Sequence, residues 1–453
     1  MPSKSGSAAQ GGKTLGVVGA VAIGIGGMVG GGIFAVLGEA VSLAHGATPV
    51  AFSLAGLIAL MTAYSYARLS VAFPSQGGTV VFLDRAFRKD LATGALNTLL
   101  WVSYLVTLAL YASAFGAYAL TFVGEGSPGW VGHALVSLGI ILPVGINLFG
   151  SAIVSRSETT VVVVKLVLLA LVIIAGWPFL HTERLATSSW GSPLSLIAAG
   201  MTIFVAYEGF ELIANASADA REPRRTLPRA FFISVGLVIA LYVLIAVVVV
   251  GSVPADRIAA VKDYALAEAA RPALGEFGFR LVGLSALLAT FSAINATIYG
   301  SARLGFVLAR DGELPAILER RCWNEPAFGI LLIGAISLLL ANLLDIEAIA
   351  SVASSGFLLI FGATNLAAFR LADDIGANRW VPLTGGVACL GALIVLLASS
   401  WRESPEVIWL FVVFVVGALV FEVTYGRLKR GPFKVWDDIE KVVHRLEELE
   451  THS

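Results

Sequence analysis

The chain has 453 residues, of which 57% are hydrophobic and 13% charged, and its mean hydropathy is +0.86. A soluble domain carries roughly 25% charged residues, so this composition demands an apolar solvent around the fold and excludes an ordinary soluble protein. The net charge of −1 leaves no basic surplus for nucleic acid. Cys322 and Cys389, the two cysteines, fall in a loop and inside an apolar block, which predicts neither a disulfide nor a metal site.

Residues 1–13 are polar and rich in Ser, Gly and Ala, without the apolar core of a signal peptide, and read as a tail. Twelve apolar blocks of bilayer-crossing length follow, near 14–43, 48–73, 93–123, 133–152, 158–180, 194–217, 228–252, 275–308, 328–344, 346–370, 380–399 and 405–424. The predicted fold class is therefore an all-α polytopic membrane protein embedded in lipid. If the N-terminus is cytoplasmic, twenty-three Lys and Arg fall on that side and six on the other, with Lys165 left inside a block. That asymmetry predicts both termini in the cytoplasm, with a prokaryotic plasma membrane as the expected location.

The first block contains Gly24-Ile25-Gly26-Gly27-Met28-Val29-Gly30-Gly31-Gly32. Six glycines in nine residues cost a helix about 1 kcal/mol each relative to alanine. Glycines that serve close helix packing keep to one face at a spacing of four. Gly30, Gly31 and Gly32 are consecutive and cover every face, so an unwound segment is expected.

The fifth block carries Lys165, about 10 Å beyond its start near Glu158 by helix rise. That depth allows the amine to snorkel back to the interface or to face the bundle interior. The sixth block is interrupted by Tyr207-Glu208-Gly209-Phe210-Glu211, two carboxylates at mid-membrane depth. Such groups are tolerated only against a cavity, the protein interior or a cation. The tyrosines Tyr64, Tyr66, Tyr104 and Tyr111 read as packing or interface aromatics. Past the last block, Trp436 to Leu449 has the apolar period of a short amphipathic surface helix.

The first and sixth blocks occupy corresponding positions in two five-block halves. Paired glycine-interrupted spans of that kind point to the binding site of an inverted-repeat transporter. An unwound segment frees amides at the start of one half-helix, which attract a carboxylate. It also frees carbonyls at the end of the other, which accept from an ammonium group. A zwitterionic amino acid offers both.

Several stretches resemble the amino acid–polyamine–organocation transporter superfamily. They are Gly24 to Phe34, Phe204 to Glu211 running on through Asp219 and Glu222-Pro223 to Leu227-Pro228, Phe291 to Ala296, Arg303 through Arg310 to Pro315, and Ala72-Phe73-Pro74 with Gly77-Gly78. The resemblance implies twelve helices in a five-plus-five inverted repeat with discontinuous first and sixth helices: a first repeat over 14–180, a second over 194–370, and two further helices over 380–424 before a tail at 425–453. It implies amino acid transport by alternating access, with no cofactor. By position, Gly30, Gly31 and Gly32 supply amides to the substrate carboxylate. The carbonyls of Met28, Val205 and Glu208 receive the amino group. Ala206, Gly209 and especially Phe210 line the substrate.

Some members resemble this chain in having a fifth-helix lysine where sodium-coupled relatives hold sodium. The implied neighbours of Lys165 are the carbonyls of Gly26 and Val29 and the hydroxyl of Ser292. Desolvation opposes the charged amine, which suits gain and loss of a proton near neutrality and makes the proton the expected coupling ion. Glu208 is the next candidate proton carrier. Amino acid exchange and sodium symport stay open. A sensor on a transporter body would need a soluble output domain, a channel would need a filter, and an enzyme would need a nucleophile–base pair. The sequence offers none of these.

Overall fold

A computed structural model describes residues 15–87, 91–124, 126–149, 152–320 and 326–430. Among them there is no β-strand, only two isolated bridges, Leu15 to Ala220 and His45 to Trp190. The tails at 1–13 and beyond 430, the amphipathic helix expected at Trp436 to Leu449, and Cys322 lie outside the described residues.

The helices follow the apolar blocks closely. α1 (Val17–Met28) and α2 (Gly32–Ala44) are two pieces bent by 48°. α3 (Thr48–Ala72) begins with a proline in its first turn, where the missing N–H costs nothing. A short α4 (Thr79–Phe87) leads to α5 (Leu91–Val123), α6 (Gly129–Phe149) and α7 (Ala152–Gly176). Next come α8 (Pro193–Thr202), which Ser192 caps by accepting from the Ser195 amide at 3.0 Å, and α9 (Leu212–Asn215). α10 (Pro223–Ser252) is followed by two small helices that the sequence reading missed, α11 (Ala255–Ala260) and α12 (Ala265–Ala269). α13 (Arg271–Arg310) is continuous except at Gly275. The chain closes with α14 (Ala327–Leu343), α15 (Ile346–Arg370), capped by Asp345, then α16 (Trp380–Glu403) and α17 (Pro405–Arg430).

Among the described residues, ten helical segments are long and apolar enough to cross a membrane, and the bent pair α1–α2 makes eleven. α14 is apolar but shorter, at 17 residues. The chain is an integral membrane protein.

Burial sorts these helices into an inner group and a rim. The most apolar stretches of α5 and of α8–α9 are each 89% buried, whereas those of α6 and α17 are only 22% buried. α10 packs on α3 and α1, α13 on α5 and α7, and α15 on α5 and α16. The two interrupted segments therefore stand at the centre, where irregular backbone can be covered by protein rather than lipid.

Candidate functional site

α1 stops at Met28 and α2 starts at Gly32, so the first break is short: Val29, Gly30 and Gly31. Gly24 and Gly27 stay helical, so the interruption takes only the end of the glycine run. Their glycines serve close approach instead. A Cβ on Gly24 would stand 2.7 Å from Ser234 Oγ, and one on Gly27 would stand 2.7 Å from the Gly209 carbonyl oxygen.

The second break is longer than Tyr207 to Glu211. α8 ends at Thr202, Ile203–Tyr207 tighten into a 3-10 helix, and regular helix resumes only at Leu212. Ser354 of α15 explains the earlier start. Its hydroxyl donates to the Thr202 carbonyl at 2.7 Å and accepts from the Val205 amide at 3.0 Å, so it satisfies two groups that leave the helical ladder. Gly209 has φ +117, in the left-handed region, and a Cβ there would lie 2.4 Å from the Gly27 carbonyl carbon. Only glycine fits that backbone and that contact.

The two breaks touch at both ends: Gly27 against Gly209, and Gly32 against Ala206, where an added Cβ would come within 2.8 Å of the Ala206 Cα. Tyr111 of α5 joins them a second way. Its ring lies on Gly31, with the Cδ1 atom 2.3 Å from where a Cβ would be, and its hydroxyl donates to Glu208 Oε2 at 3.0 Å. Tyr104 donates to Glu211 Oε1 at 3.0 Å, and the other Glu211 oxygen accepts from the Gly209 amide at 2.8 Å. Both glutamates are buried. Tyr104 and Tyr111, expected from the sequence to be packing aromatics, are instead the hydrogen-bond donors to the mid-membrane carboxyls. A signal did exist. Tyr104 and Tyr111 are seven residues apart on one helix, a spacing that keeps both hydroxyls on one face. Tyr66 does pack, ringed by Phe82, Phe231, Phe361 and Phe210, with its hydroxyl 2.7 Å from Thr79.

The remaining expected site residues take up varied places. Among the described residues, the amides of Gly30 and Gly31 donate to no acceptor, although both residues are buried at the N-terminal end of α2. The Met28 carbonyl accepts from Tyr242 at 2.7 Å, and the Val205 carbonyl accepts from the Glu208 amide at 3.1 Å. A carbonyl has two lone pairs, so each keeps one. Phe210 is fully buried in the aromatic cluster, its ring 5.2 Å from that of Phe361. Lys165 is 2% exposed, which removes the snorkelling alternative. Its helix α7 packs on α1, which carries Gly26, and on α13, which carries Ser292; Val29 is fully buried in the first break.

A cleft of about 380 Å³ reaches down to Ala35, within the first turn of α2. At its rim Lys262 bridges Glu39 of α2 at 3.0 Å and Glu347 of α15 at 3.2 Å. Partial burial opposes the Lys262 charge, but the two carboxylates outweigh it and hold the amine above its ordinary range. Next to it, burial lifts the Asp263 carboxyl above its ordinary value; Lys262 pulls the other way and Asp345 adds to the rise.

A central pair of interlocked broken helices in an integral membrane protein defines a transporter class rather than an enzyme. The sequence matches the amino acid permease family over residues 15–431, and the chain belongs to that family. It is 35% identical to the inner membrane transport protein YbaT of Escherichia coli over 88% of this chain and 94% of that protein. It is 34% identical to an uncharacterized protein of Methanocaldococcus jannaschii, over 93% and 97% of the two chains. The methylthioribose transporter of Bacillus subtilis is 26% identical over 90% and 92%. This chain is thus a membrane transporter.

Proposed function

We infer that the chain is a secondary transporter that carries amino acids across the membrane by alternating access, coupled to proton symport. In this reading it has twelve spans in a five-plus-five inverted repeat, with both termini cytoplasmic. α1–α2 and α8–α9 are then the discontinuous helices of the two repeats. α14 counts as a full span, short enough to need local thinning of the bilayer.

The observation that carries the reading is the pair of buried amides at Gly30 and Gly31 with no acceptor. Buried donors are otherwise nearly always paired, and these sit at the positive end of α2, where a carboxylate is favoured. The substrate amino group then meets the free lone pairs of Met28 and Val205 and the carbonyl of Glu208, while Gly32, Ala206, Gly209 and Phe210 bound the site. The family description, amino acid permease, supports the substrate class.

Coupling falls to Lys165, buried on α7 behind the first break. Protonated, it ties α7 to the carbonyls of Gly26 and Val29 and to Ser292 on α13, in the place of a cation. Deprotonated, it releases α1. The test is uptake in proteoliposomes, with the labelled amino acid chosen by a thermal-shift screen. An imposed proton gradient should drive accumulation, and a sodium gradient should not. Lys165→Ala should keep substrate-induced thermal stabilisation but lose the response to the proton gradient. Unchanged gradient dependence in that variant would sink the assignment of the proton to Lys165. A chain that only exchanges amino acids, with neither gradient driving accumulation, would sink symport.

A further inference from the structure

The cleft beside Lys262 carries more negative charge than its single amine answers. Its walls include four carboxylates, Glu39, Asp263, Asp345 and Glu347, and one ammonium group, Lys262. Lys262 bridges Glu39 and Glu347. Half-buried Asp263 and exposed Asp345 form no ion pair among the described residues, and Asp345 accepts only from the Ala348 amide, at 2.8 Å. These two stand close enough for Asp345 to add to the rise in the Asp263 carboxyl. His133, also a wall, shares a hydrogen bond with Asn342 at 3.0 Å. Arg257 and Arg271, on either side of Lys262 in the chain, both pair with Glu268, and exposed Arg402 is not among the walls. The balance in the cleft is acidic.

A second observation comes from α5. Ser113 lines the same cleft and is 7% exposed, and its hydroxyl has no hydrogen-bond partner among the described residues. A helical serine commonly bonds back to the carbonyl four residues earlier. Ser103 of the same helix does so, donating to Leu99 at 2.8 Å. Ser113 does not, which leaves its hydroxyl for a group inside the cleft, since buried hydroxyls are nearly always paired. At about 380 Å³ the cleft lies within the range of roughly 300–1,000 Å³ that holds small ligands. Its deepest wall, Ala35, is one turn from Gly31, about 6 Å by helix rise. Among the described residues no three His, Cys, Asp or Glu side chains stand close enough to hold a metal ion. An organic ammonium group needs fewer acceptors, and the apolar walls Leu120 and Leu344 suit the carbon beside it.

We propose that this cleft is a binding site for a small primary amine, separate from the two breaks. The ammonium group lies against Asp263 and Asp345, and the next polar atom of the ligand meets Ser113. Lys262 ends in the same chemical group, so an arriving amine also competes with it for Glu39 and Glu347. A cleft lined by charges of one sign concentrates the opposite charge within it. The amine is then the amino acid on its way to Gly30 and Gly31, a step that rests on the transport reading.

The test is ligand-observed NMR of glycinamide titrated onto the full-length protein in detergent. The pH is held near ~6.5, below the ~7.7–8.0 of an α-amino group, and uncharged N-acetylglycinamide is the control at equal ionic strength. Glycinamide has no carboxylate for the Gly30 and Gly31 amides. It should bind, and the control should not. Asp263→Asn should weaken binding about fivefold. Ser113→Ala should weaken it about fivefold too, yet melt as wild type, because it removes no hydrogen bond within the protein. Lys262→Gln should tighten binding about fivefold, because Glu39 and Glu347 then take the amine. Equal binding of the two compounds, wild-type affinity in either Asp263→Asn or Ser113→Ala, or weaker binding in Lys262→Gln overturns the proposal. Such a result leaves the transport reading standing if labelled uptake persists. Absent uptake with glycinamide binding intact strikes the transport reading alone.

Discussion

The two breaks solve the same problem by opposite means. The first is three residues long and almost without side chains: its glycines let Tyr111 and Ala206 press directly on the backbone. The second runs over nine residues, 203–211, and is held by side chains, with Ser354 stapling its start and Glu211 holding the Gly209 amide. Backbone that leaves a helix at membrane depth must be satisfied or covered by protein. The first break is covered and keeps two amides unspent; the second is largely satisfied. The unspent donors therefore lie in the glycine break, and the titratable groups lie in the other.

Substitutions can break this contrast, and the largest effect is expected where the two breaks meet. Gly209→Ala places a Cβ on a left-handed backbone and into the Gly27 main chain, which cannot move as a side chain could. A loss on the order of 3 kcal/mol in stability, with transport abolished, is expected from strain plus overpacking. Thermal unfolding in detergent and uptake check it. Wild-type behaviour would mean that the breaks do not touch as described.

Next come the two glutamates. Glu211→Ala leaves the Gly209 amide and the Tyr104 hydroxyl buried without partners, whereas Glu208→Ala orphans Tyr111 and takes one of several partners from Glu211. Each orphaned buried group costs about 1–3 kcal/mol, so Glu211→Ala should be the less stable variant. The reverse order in a thermal melt would show that Glu208 holds the break. Ser354→Ala is milder: it removes two bonds from the start of the second break and should cost about 1–2 kcal/mol, with uptake reduced but measurable.

The smallest effect lies outside both breaks, beside Lys262. The fold raises the Asp263 carboxyl above its ordinary value of 3.8. A raised value means that the protonated form is favoured by folding. Its contribution is complete below the unfolded value and is lost as pH rises through the folded one. Ionised Asp263 therefore costs stability at neutral pH. Asp263→Asn should raise the melting temperature at pH 7 on the order of 1–2 °C and show less gain near pH 4. A gain confined to the acid end would reverse the sign.

Much of this was legible in advance because apolar blocks of fixed length record the bilayer directly. α3, α13, α15 and α16 begin within a few residues of their expected starts. The glycine break was legible too, since three consecutive glycines cannot all serve a single packing face. Less legible was how the glycines divide their roles. Gly24 and Gly27 look like Gly30 and Gly31 in the sequence, and only the nearness of Ser234 and Gly209 makes them packing residues. The 3-10 turn at Ile203–Tyr207 was hidden because its cause, Ser354, is some 150 residues away.

By itself, then, the sequence determined the solvent, the helices and the position of both interruptions, because hydropathy and glycine content act locally along the chain. Only the tertiary structure decided which tyrosines answer Glu208 and Glu211, which amides stay unpaired, and that Lys165 is buried. Those outcomes depend on which helices become neighbours, and a helix face is the same in sequence whether it meets lipid, a carboxyl group or another glycine.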